Sequence, residues 1–480
     1  MYINIIISMK VLFSTVPNIK KRRVVDYPPV YPPLGLMYIC SQIKNKLPEV
    51  DICLIDGLKI GIKAFWNRLK KENPDIIGLS FTTLNSADAF QISKQIKSEF
   101  PNSLLIAGGP HTSFLPKETL QRGTFDIGII GEGELTMLDI IMNFYNNKIK
   151  KIKTISGIAF RKKNKIIFTK NRRFITNLDS IPFPERDEIK ITDYPGFYYS
   201  KSKPDTSFLS IRGCPYDCVF CANPWKIGKP RVRLRSPSNI AEELKELAYK
   251  YKIKEVYDWS DEFNINTDWT LNVCKQIQKE KLDISFKAQF RVDKITSELA
   301  KNLNKTGFWL ALVGIESANP RTLRGIEKHI TINQITKACE KLKKYDIKVL
   351  GYFIGFNIWE KNGKLMFENV EKTRNTLKFI KKLSKNRLID YFSFSIATPY
   401  PGSKLYTITK KHNLISENFE EYTSHEPVIS LPGISKEEIL RVKKEAVRLQ
   451  AKDFIKSGGF NFKLIKFYAE KFYEVMRLSL

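Results

Sequence analysis

The chain has 480 residues, 42% of them apolar, which is enough for two or three folded domains with interior cores of their own. Its seven cysteines are few and unevenly spaced, which excludes the disulfide framework of a small secreted protein and favours a reducing compartment. The formal net charge of +30 could indicate a nucleic-acid or anionic membrane partner, but the lysines are spread along the chain and mixed with glutamate, so we interpret the charge as compositional.

Two short segments, residues 20–23 and 231–235, are local exceptions because they concentrate positive charge. The apolar run at residues 3–7 is too short to span a bilayer, and the first strand is expected to begin near Met9. We therefore expect no transmembrane or secretion segment, and a cytoplasmic location.

Apolar runs alternate with helical patterns from the first strand to about residue 150. This alternation predicts βαβ units, and hence a doubly wound, Rossmann-like α/β domain in residues 1–150. Small or polar residues follow each predicted strand, and ligands of open α/β sheets bind at such carboxyl ends. The predicted strands are residues 11–14, 51–55, 76–80, 104–107 and 127–130.

Residues 151–205 break this rhythm. The pattern predicts a hairpin over residues 157–168, and a stretch rich in proline follows at residues 178–184. Proline at this density is typical of an interdomain linker, so we assign residues 151–205 to a linker with a hairpin.

A second alternating series covers residues 206–410 and predicts a partial (β/α)6 barrel, whose chemistry would lie at the carboxyl-end mouth. Its predicted strands are residues 208–211, 255–259, 285–289, 309–314, 348–354 and 391–397. Residues 411–480 are charged, carry no motif and are expected to be a C-terminal helical region.

Three cysteines, Cys214, Cys218 and Cys221, lie within eight residues, directly after the first strand of the second series. Three thiolates on one loop can bind three irons of a cubane cluster and leave the fourth iron open for a substrate. Structural zinc usually takes four ligands in two separated pairs, and no second pair lies nearby. Buried structural cysteines, the other alternative, have no reason to share this spacing.

The C-x3-C-x2-C spacing resembles the signature of the radical S-adenosylmethionine (radical SAM) superfamily. The resemblance implies a 4Fe-4S cluster held by the three cysteines, reductive cleavage of S-adenosylmethionine (SAM) to a 5'-deoxyadenosyl radical, and an external electron donor such as a flavodoxin or ferredoxin. The residues that it assigns to SAM binding lie at successive strand ends and are Asp261, Glu262, Glu316, Ser317, Gly351 and Gly355. Relatives commonly show a Gly-Leu-Pro-Gly-Glu-Thr turn where this chain has residues 355–360, so the resemblance does not predict the backbone there.

The α/β domain ahead of this series resembles the cobalamin-dependent branch of the superfamily, to which the class B methyltransferases belong. Hydroxyls and bare glycine backbone at strand ends would let the cobalamin tail pass close to the sheet. The residues that carry this resemblance are 32–35, Ser80, Thr82, Thr83, Leu84, Gly108, Gly109, His111, Gly131, Glu132 and Gly133.

The loop after the first strand departs from the branch that donates an axial histidine, because residues 16–22 contain none. If cobalamin binds, its lower axial position is then expected to lack a histidine from this chain, and we interpret His111 as a hydrogen-bonding loop residue. A fold retained without the cofactor is the alternative.

The resemblance implies an enzyme that methylates an unactivated carbon of a small-molecule, lipid or peptide substrate. Cyclising or ring-rearranging relatives have the same two domains and remain an alternative. A basic RNA-modifying protein is the third hypothesis, but a methylthiotransferase would need a further cysteine triad, and only Cys40 and Cys53 precede the linker. We therefore do not expect a nucleic-acid partner.

Overall fold

The computed structural model describes residues 9–19, 29–145, 149–197, 199–228, 230–416, 418–422 and 427–456. The basic run at 20–23, part of the loop at 16–22 and the last part of the predicted C-terminal region, 457–480, lie outside these ranges. The chain divides into two compact units, one comprising Met1–Pro195 with Pro224–Pro230 and the other Gly196–Asn223 with Arg231–Leu480. No helix within the described residues is long and apolar enough to cross a bilayer.

The first unit is built on a seven-stranded sheet in the order β2-β1-β3-β4-β5-β6-β7. Its strands are β1 (Lys10–Thr15), β2 (Asp51–Asp56), β3 (Ile76–Ser80), β4 (Leu104–Gly108), β5 (Ile127–Ile129), β6 (Ile158–Lys162) and β7 (Lys165–Phe168). The five predicted strands are confirmed to within one residue at each end. They pair in parallel, and β1 lies between β2 and β3, which is the strand order of a doubly wound sheet.

Helices α1 to α6 connect these strands, and their apolar faces complete a core around the sheet, with Leu12, Phe65, Ile77 and Leu105 fully buried. The helices are α1 (Leu34–Lys46), α2 (Gly57–Glu72), α3 (Ser86–Glu99), α4 (Pro110–Phe114), α5 (Pro116–Arg122) and α6 (Glu134–Tyr145).

The hairpin β6–β7 extends this sheet and does not stand in a separate linker, as the sequence had suggested. β6 pairs antiparallel with β5, with Gly128 opposite Ala159. The segment after the hairpin also packs on the first unit, since the Tyr194 hydroxyl donates to Asp56 over 2.9 Å. Antiparallel pairing to a sheet edge leaves no signature in the hairpin's own sequence, which explains why the assignment to a linker was wrong.

The second unit contains a six-stranded parallel sheet in the order β17-β14-β13-β12-β11-β8, so each strand pairs with those that precede and follow it in the series. Its strands are β8 (Asp205–Phe208), β11 (Glu255–Asp258), β12 (Ser285–Phe290), β13 (Phe308–Glu316), β14 (Lys348–Gly355) and β17 (Tyr391–Ile396). Sequential order with intervening helices is the predicted partial barrel. Two small antiparallel pairs accompany it, β9 (Ile211–Arg212) with β10 (Arg233–Leu234), and β15 (Ile358–Lys361) with β16 (Lys364–Phe367).

The first barrel strand begins three residues earlier than predicted, because β8 starts at Asp205 and ends at Phe208. Ile211, which had been assigned to it, belongs to β9. A buried aspartate opens β8, and an apolar pattern cannot identify such a strand start.

The second unit's helices lie between and after the strands. They are α7 (Pro237–Tyr249), α8 (Thr267–Glu280), α9 (Ser297–Thr306), α10 (Pro320–Gly325), α11 (Ile332–Lys344), α12 (Val370–Lys385), α13 (Lys404–Lys411) and α14 (Lys436–Lys456). The predicted C-terminal helical region is therefore represented by α14, which packs against α12 and β17.

A buried ion network closes the amino end of the barrel, which we call the barrel floor and define as Asp205, Glu255 and Lys287. The Lys287 Nζ lies 2.8 Å from Asp205 Oδ2 and also contacts Glu255, and all three side chains are completely buried. Trp309 Nε1 donates to Glu255 Oε1 over 3.2 Å. The floor thus consists of one buried cation paired with two buried carboxylates.

Candidate cofactor site

The cysteine loop leaves the short strand β9 through Gly213, whose φ of +96° is a conformation that glycine adopts without strain. Cys218 is buried, whereas Cys214 and Cys221 are partly exposed. The loop is anchored by Val219, whose N–H donates to Ile326 O over 3.0 Å and whose carbonyl accepts from Leu405 N over 2.8 Å. None of the seven cysteines, all of them described, forms a disulfide.

A cavity of about 350 Å³ lies between this loop and the carboxyl ends of the barrel strands. The predicted residues that line it are Cys214, Cys218, Cys221, Asp261, Glu262 and Glu316. The structure thus brings the predicted thiols and carboxylates together around one space, although they come from a loop and two separate strand ends.

Three other predicted residues do not line the cavity. The Ser317 side chain is completely buried and donates to Glu368 over 2.6 Å. Gly351 and Gly355 are buried, and a Cβ at Gly351 would meet the Phe353 ring at 2.8 Å. These positions support the strand ends, so any contact that they make with SAM would be indirect.

Two cations in the cavity wall, Arg291 and Lys328, were missed by the sequence analysis. Arg291 directly follows β12, so the carboxyl end of the third barrel strand could have been searched as the others were. Lys328 follows the short helix α10 and no strand, and nothing in the sequence pattern marks it. Gln289, Tyr352, Asn223 and Ser395 are further polar residues of the wall.

The two cations are held by the protein. Lys328 Nζ lies 2.9 Å from Glu316 Oε1, and both side chains are largely buried. Burial lowers the pKa of Lys328, but attraction to Glu316 and Cys218 outweighs it, and the pKa is raised. The Arg291 guanidinium lies 3.7 Å from the centre of the Tyr216 ring and donates to the carbonyl of Lys328. Both positive charges therefore face the cavity from fixed positions.

Glu262 is the carboxylate best placed to receive a cationic ligand. Its Oε1 is buried and has no hydrogen-bond partner among the described residues. Burial raises the pKa of Glu262 to about 7, although Arg291 and Lys328 oppose the shift. A buried carboxylate without a donor is unfavourable unless a ligand completes it, which is what an ammonium group would do.

The donor set of the loop fits a cluster. Burial raises the pKa of Cys214 to about 12, so its thiolate is disfavoured in the protein alone and would require iron to form. No three His, Cys, Asp or Glu side chains in the described ranges converge closely enough to share a single metal ion. A cubane does not need that convergence, because each thiolate binds its own iron.

The carboxyl edge of the first unit's sheet consists largely of backbone. Gly108 at the end of β4 and Gly109 after it are partly exposed, as are Gly131 and Gly133 after β5, while Ser80 ends β3. Among the described residues a Cβ at Gly108 would meet only Leu79 O, at 3.9 Å, which leaves space for a ligand beside this strand end. This is the bare edge that a long cofactor tail requires.

Several predicted side chains turn into the unit and do not face that edge. His111 is completely buried, its Nδ1 lies 3.2 Å from Thr83 Oγ1, and burial lowers its pKa to about 3. Glu132 is also buried and accepts from Ile175 N over 2.9 Å. Thr82 caps the turn that contains Leu84. These residues hold the loops at the edge, and His111 lies within the core of the unit.

Comparison with known proteins finds a family match for each of the two parts of the chain. The model of the radical SAM superfamily matches residues 208–366, and the model of the B12 binding domain matches residues 22–141. An uncharacterised methyltransferase of Pyrococcus horikoshii is 34% identical over 90% of this chain and 92% of its own length. The anaerobic magnesium-protoporphyrin IX monomethyl ester cyclase of Cereibacter sphaeroides is 22% identical over 85% of this chain and 65% of its own.

Among solved structures, the radical SAM methyltransferase TsrM of Kitasatospora setae, with cobalamin and a 4Fe-4S cluster bound, superposes with a TM-score of 0.67 at 15% identity. The match covers 84% of this chain and 78% of TsrM, and at this identity it shows a shared fold. The cysteine loop, the two matched domains and the archaeal relative lead to one assignment. This chain belongs to the radical SAM superfamily, in the branch with a B12 binding domain, and is an enzyme whose cofactors are a 4Fe-4S cluster, SAM and cobalamin.

Proposed function

We propose that this enzyme methylates an unactivated carbon of a small-molecule, lipid or peptide substrate. The observation that carries the proposal is the 34% identity to a methyltransferase across nearly the whole of both chains. When bound, the cluster supplies the electron that splits SAM into methionine and a 5'-deoxyadenosyl radical, and cobalamin supplies the methyl group. An unactivated carbon has no lone pair with which to attack a methyl sulfonium, which is why both cofactors are needed.

The residues of the chain itself would bind and orient the cluster and SAM. Cys214, Cys218 and Cys221 would each hold one iron, and the loop supplies no fourth thiol, so one iron stays open to SAM. The amino group of SAM would bind at Glu262, whose buried Oε1 has no hydrogen-bond partner among the described residues. The carboxylate group of SAM would bind near Lys328, which also lines the cavity.

Glu316 would accept hydrogen bonds from the ribose hydroxyls of SAM. It already holds Lys328 at 2.9 Å in the structure, so the pair arranges the site before SAM arrives. A cation and an anion that fix each other's position lose little side-chain freedom when the ligand binds, and this pre-organisation favours affinity.

In the first unit, cobalamin would lie along the edge formed by Ser80 and the glycines after β4 and β5. His111 is buried in the core of that unit, so we propose that it is not a cobalt ligand. The described part of the loop after β1 offers no histidine either. Neither His111 nor the described part of this loop would then supply a histidine to cobalt.

A flavodoxin or ferredoxin is the proposed electron donor, since the cleavage of SAM needs one external electron, and the cytoplasm is the compartment where such donors and reduced thiols occur. The positive charge remains a compositional feature in this proposal, without a nucleic-acid partner.

The test begins with protein reconstituted anaerobically with iron and sulfide. We expect about four irons per chain, a brown colour, and 5'-deoxyadenosine when SAM and a reductant are added. Replacing the three loop cysteines with alanine should abolish all three results, whereas Cys274→Ala, in the buried face of α8, should leave them intact. A triple variant that still formed 5'-deoxyadenosine would contradict the assignment of the loop.

Methyl-labelled SAM then tests the reaction type. Methylation predicts labelled product and S-adenosylhomocysteine alongside 5'-deoxyadenosine. The second candidate, a radical cyclisation, is favoured by the likeness to the cyclase of Cereibacter sphaeroides, and it predicts 5'-deoxyadenosine with an unlabelled product lighter by hydrogen. Turnover without labelled product would therefore replace the first proposal by the second.

A further inference from the structure

The hairpin β15–β16 occupies the place where the sequence departs from the usual turn of its relatives. The chain leaves β14 at Gly355, and Glu368 N donates to Asn357 O over 2.9 Å, which closes the base of the hairpin. Asn357 Nδ2 also donates to Glu368 Oε2 over 3.1 Å. Residues 358–367 thus project from a closed base. After the hairpin, Glu368 returns the chain to this base, and the side chain of Asn369 caps the start of α12.

Trp359 is the side chain by which this hairpin contacts α10, while Glu360 pairs with Lys411 of α13 over 2.8 Å. Trp359 is 3% exposed and lies against Gly325, the last residue of α10. A Cβ at Gly325 would meet the indole Cε2 at 2.4 Å, so only glycine leaves room for the ring. The contact is therefore a close fit between one aromatic ring and bare backbone.

The three residues that follow Gly325 form what we call the supporting segment, Ile326–Lys328. Ile326 O accepts from Val219 N over 3.0 Å, in the middle of the cysteine loop. The next carbonyl, that of Glu327, lies 3.7 Å from Cys218 Sγ. Lys328 is bound to two other residues of the cavity wall, since its carbonyl accepts from Arg291 and its Nζ pairs with Glu316. The segment thus joins the cluster loop to the wall of the SAM site.

The backbone in and directly after the supporting segment is strained, so the segment needs packing contacts on its outer side. Glu327 has a φ of +57° and His329 a φ of +52°, in the left-handed region that residues other than glycine seldom adopt. Such conformations persist only where the surrounding structure enforces them. Trp359 packs on the residue just before the strained stretch, and the cysteine loop packs on its inner side.

We propose that the hairpin β15–β16 positions the SAM site through Trp359, by pressing the supporting segment against the cysteine loop and holding Lys328 at the cavity wall. Trp359 is in this sense a positioning residue, since it touches neither the cavity nor the cysteines. The proposal rests on the function proposed above, which assigns the loop to the cluster and Lys328 to SAM.

Trp359→Leu tests the proposal in the full-length, anaerobically reconstituted enzyme. We expect iron content close to that of the unaltered protein, but a KM for SAM raised about tenfold, because supporting contacts around a metal site are worth this much when lost. The change that SAM causes in the electron paramagnetic resonance spectrum of the reduced cluster should weaken in parallel. A residue needed only for stability would lower the melting temperature without changing the KM.

Leu365→Ala is the matched control. Leu365 pairs with Glu360 across the hairpin, on the face opposite to the one that Trp359 shares with Met366. It should leave the KM for SAM unchanged while weakening the same hairpin. Gly325→Ala approaches the contact from its other side and should raise the KM as Trp359→Leu does, because its Cβ would displace the ring. If Trp359→Leu does not fold, Trp359→Phe with Gly325→Ala decides the question.

Equal KM values and spectra for the Trp359, Gly325 and Leu365 variants would overturn the proposal. That outcome can be separated from a failure of the proposed function, which would be visible in the unaltered protein as an absence of 5'-deoxyadenosine.

Discussion

Buried charges occur at both ends of the barrel, and the two groups differ in how they are completed. At the floor, Lys287 is enclosed by Asp205 and Glu255, with no exposure to solvent. At the mouth, Lys328 is paired with Glu316 beside a cavity of about 350 Å³. Both ends contain a lysine paired with a glutamate. What distinguishes the candidate binding site from the structural ion network is the cavity beside it.

The two ends of the barrel each contain a buried glutamate with a shifted pKa, and the one at the mouth indicates a ligand. Glu255 and Glu262 both have a raised pKa caused by burial. Glu255 is compensated at once by Lys287 and Trp309, whereas Oε1 of Glu262 has no hydrogen-bond partner in the described part of the chain. A buried carboxylate left incomplete by its own protein is the more informative one about a ligand.

The largest expected effect belongs to the floor. Lys287→Met would leave two buried carboxylates without their cation, and we expect it to reduce the free energy of unfolding by about 3–5 kcal/mol. Urea denaturation measures this loss, and the SAM affinity of the folded protein should stay unchanged. Lys254→Met removes an exposed pair with Asp283, which solvent screens, and should change the free energy of unfolding far less. Equal stabilities for the two variants would refute the structural role of the floor.

At the mouth the effect should appear in binding and not in folding. Glu316→Ala is expected to weaken SAM binding by about 1–3 kcal/mol, since it removes the acceptor for the ribose and releases Lys328, while the iron content stays the same. Calorimetric titration with SAM gives the affinity. Ser317→Ala is the control, because that hydroxyl is buried against Glu368 and should not alter the affinity. If Ser317→Ala weakened binding as strongly, the distinction between lining and supporting residues would fail.

A third buried group extends the comparison to the first unit and concerns pH. Burial lowers the pKa of His111 to about 3, whereas an unfolded chain binds the same proton near pH 6.5. The unfolded state therefore holds the extra proton between these values, and stability should fall as the pH drops below about 6.5, by up to about 1.4 kcal/mol per pH unit. Denaturation midpoints between pH 7 and 5 test this slope. His111→Gln should flatten it.

For the binding of cobalamin we expect no effect of changing His111. If His111 supports the loop and does not bind cobalt, His111→Gln should leave the visible spectrum of protein-bound cobalamin unchanged. A spectrum of histidine ligation in the unaltered protein that disappears in this variant would show that the buried ring leaves the core to reach the cofactor.

The elements of the fold were readable because their signals are local. Five strands of the first sheet follow apolar runs bounded by small residues, and the three cysteines occupy one loop. The floor was missed because Asp205 lay outside the predicted first strand, and because the pairing of charged residues on separate strands leaves no mark in the pattern of any one strand. Lys328 was missed because it reaches the cavity from a turn after a six-residue helix.

The unusual turn after β14, the fifth barrel strand, is a second feature that the sequence alone could not explain. The sequence signalled that residues 355–360 do not follow the usual turn, but the reason lies at Glu368, which restores the turn beyond the hairpin. Contacts between positions this far apart depend on tertiary structure, and a single sequence does not encode them in its periodicity. The docking of β6 onto β5 was hidden for the same reason.

The sequential strand order of the barrel has a kinetic consequence. Each new strand pairs with the one completed just before it, so the sheet can grow as the chain leaves the ribosome, without waiting for distant segments. The three charged residues of the floor come from β8, β11 and β12, the first three strands of that sheet. We therefore expect half a barrel, with its buried lysine already paired with both carboxylates, to exist as an early template on which β13, β14 and β17 assemble.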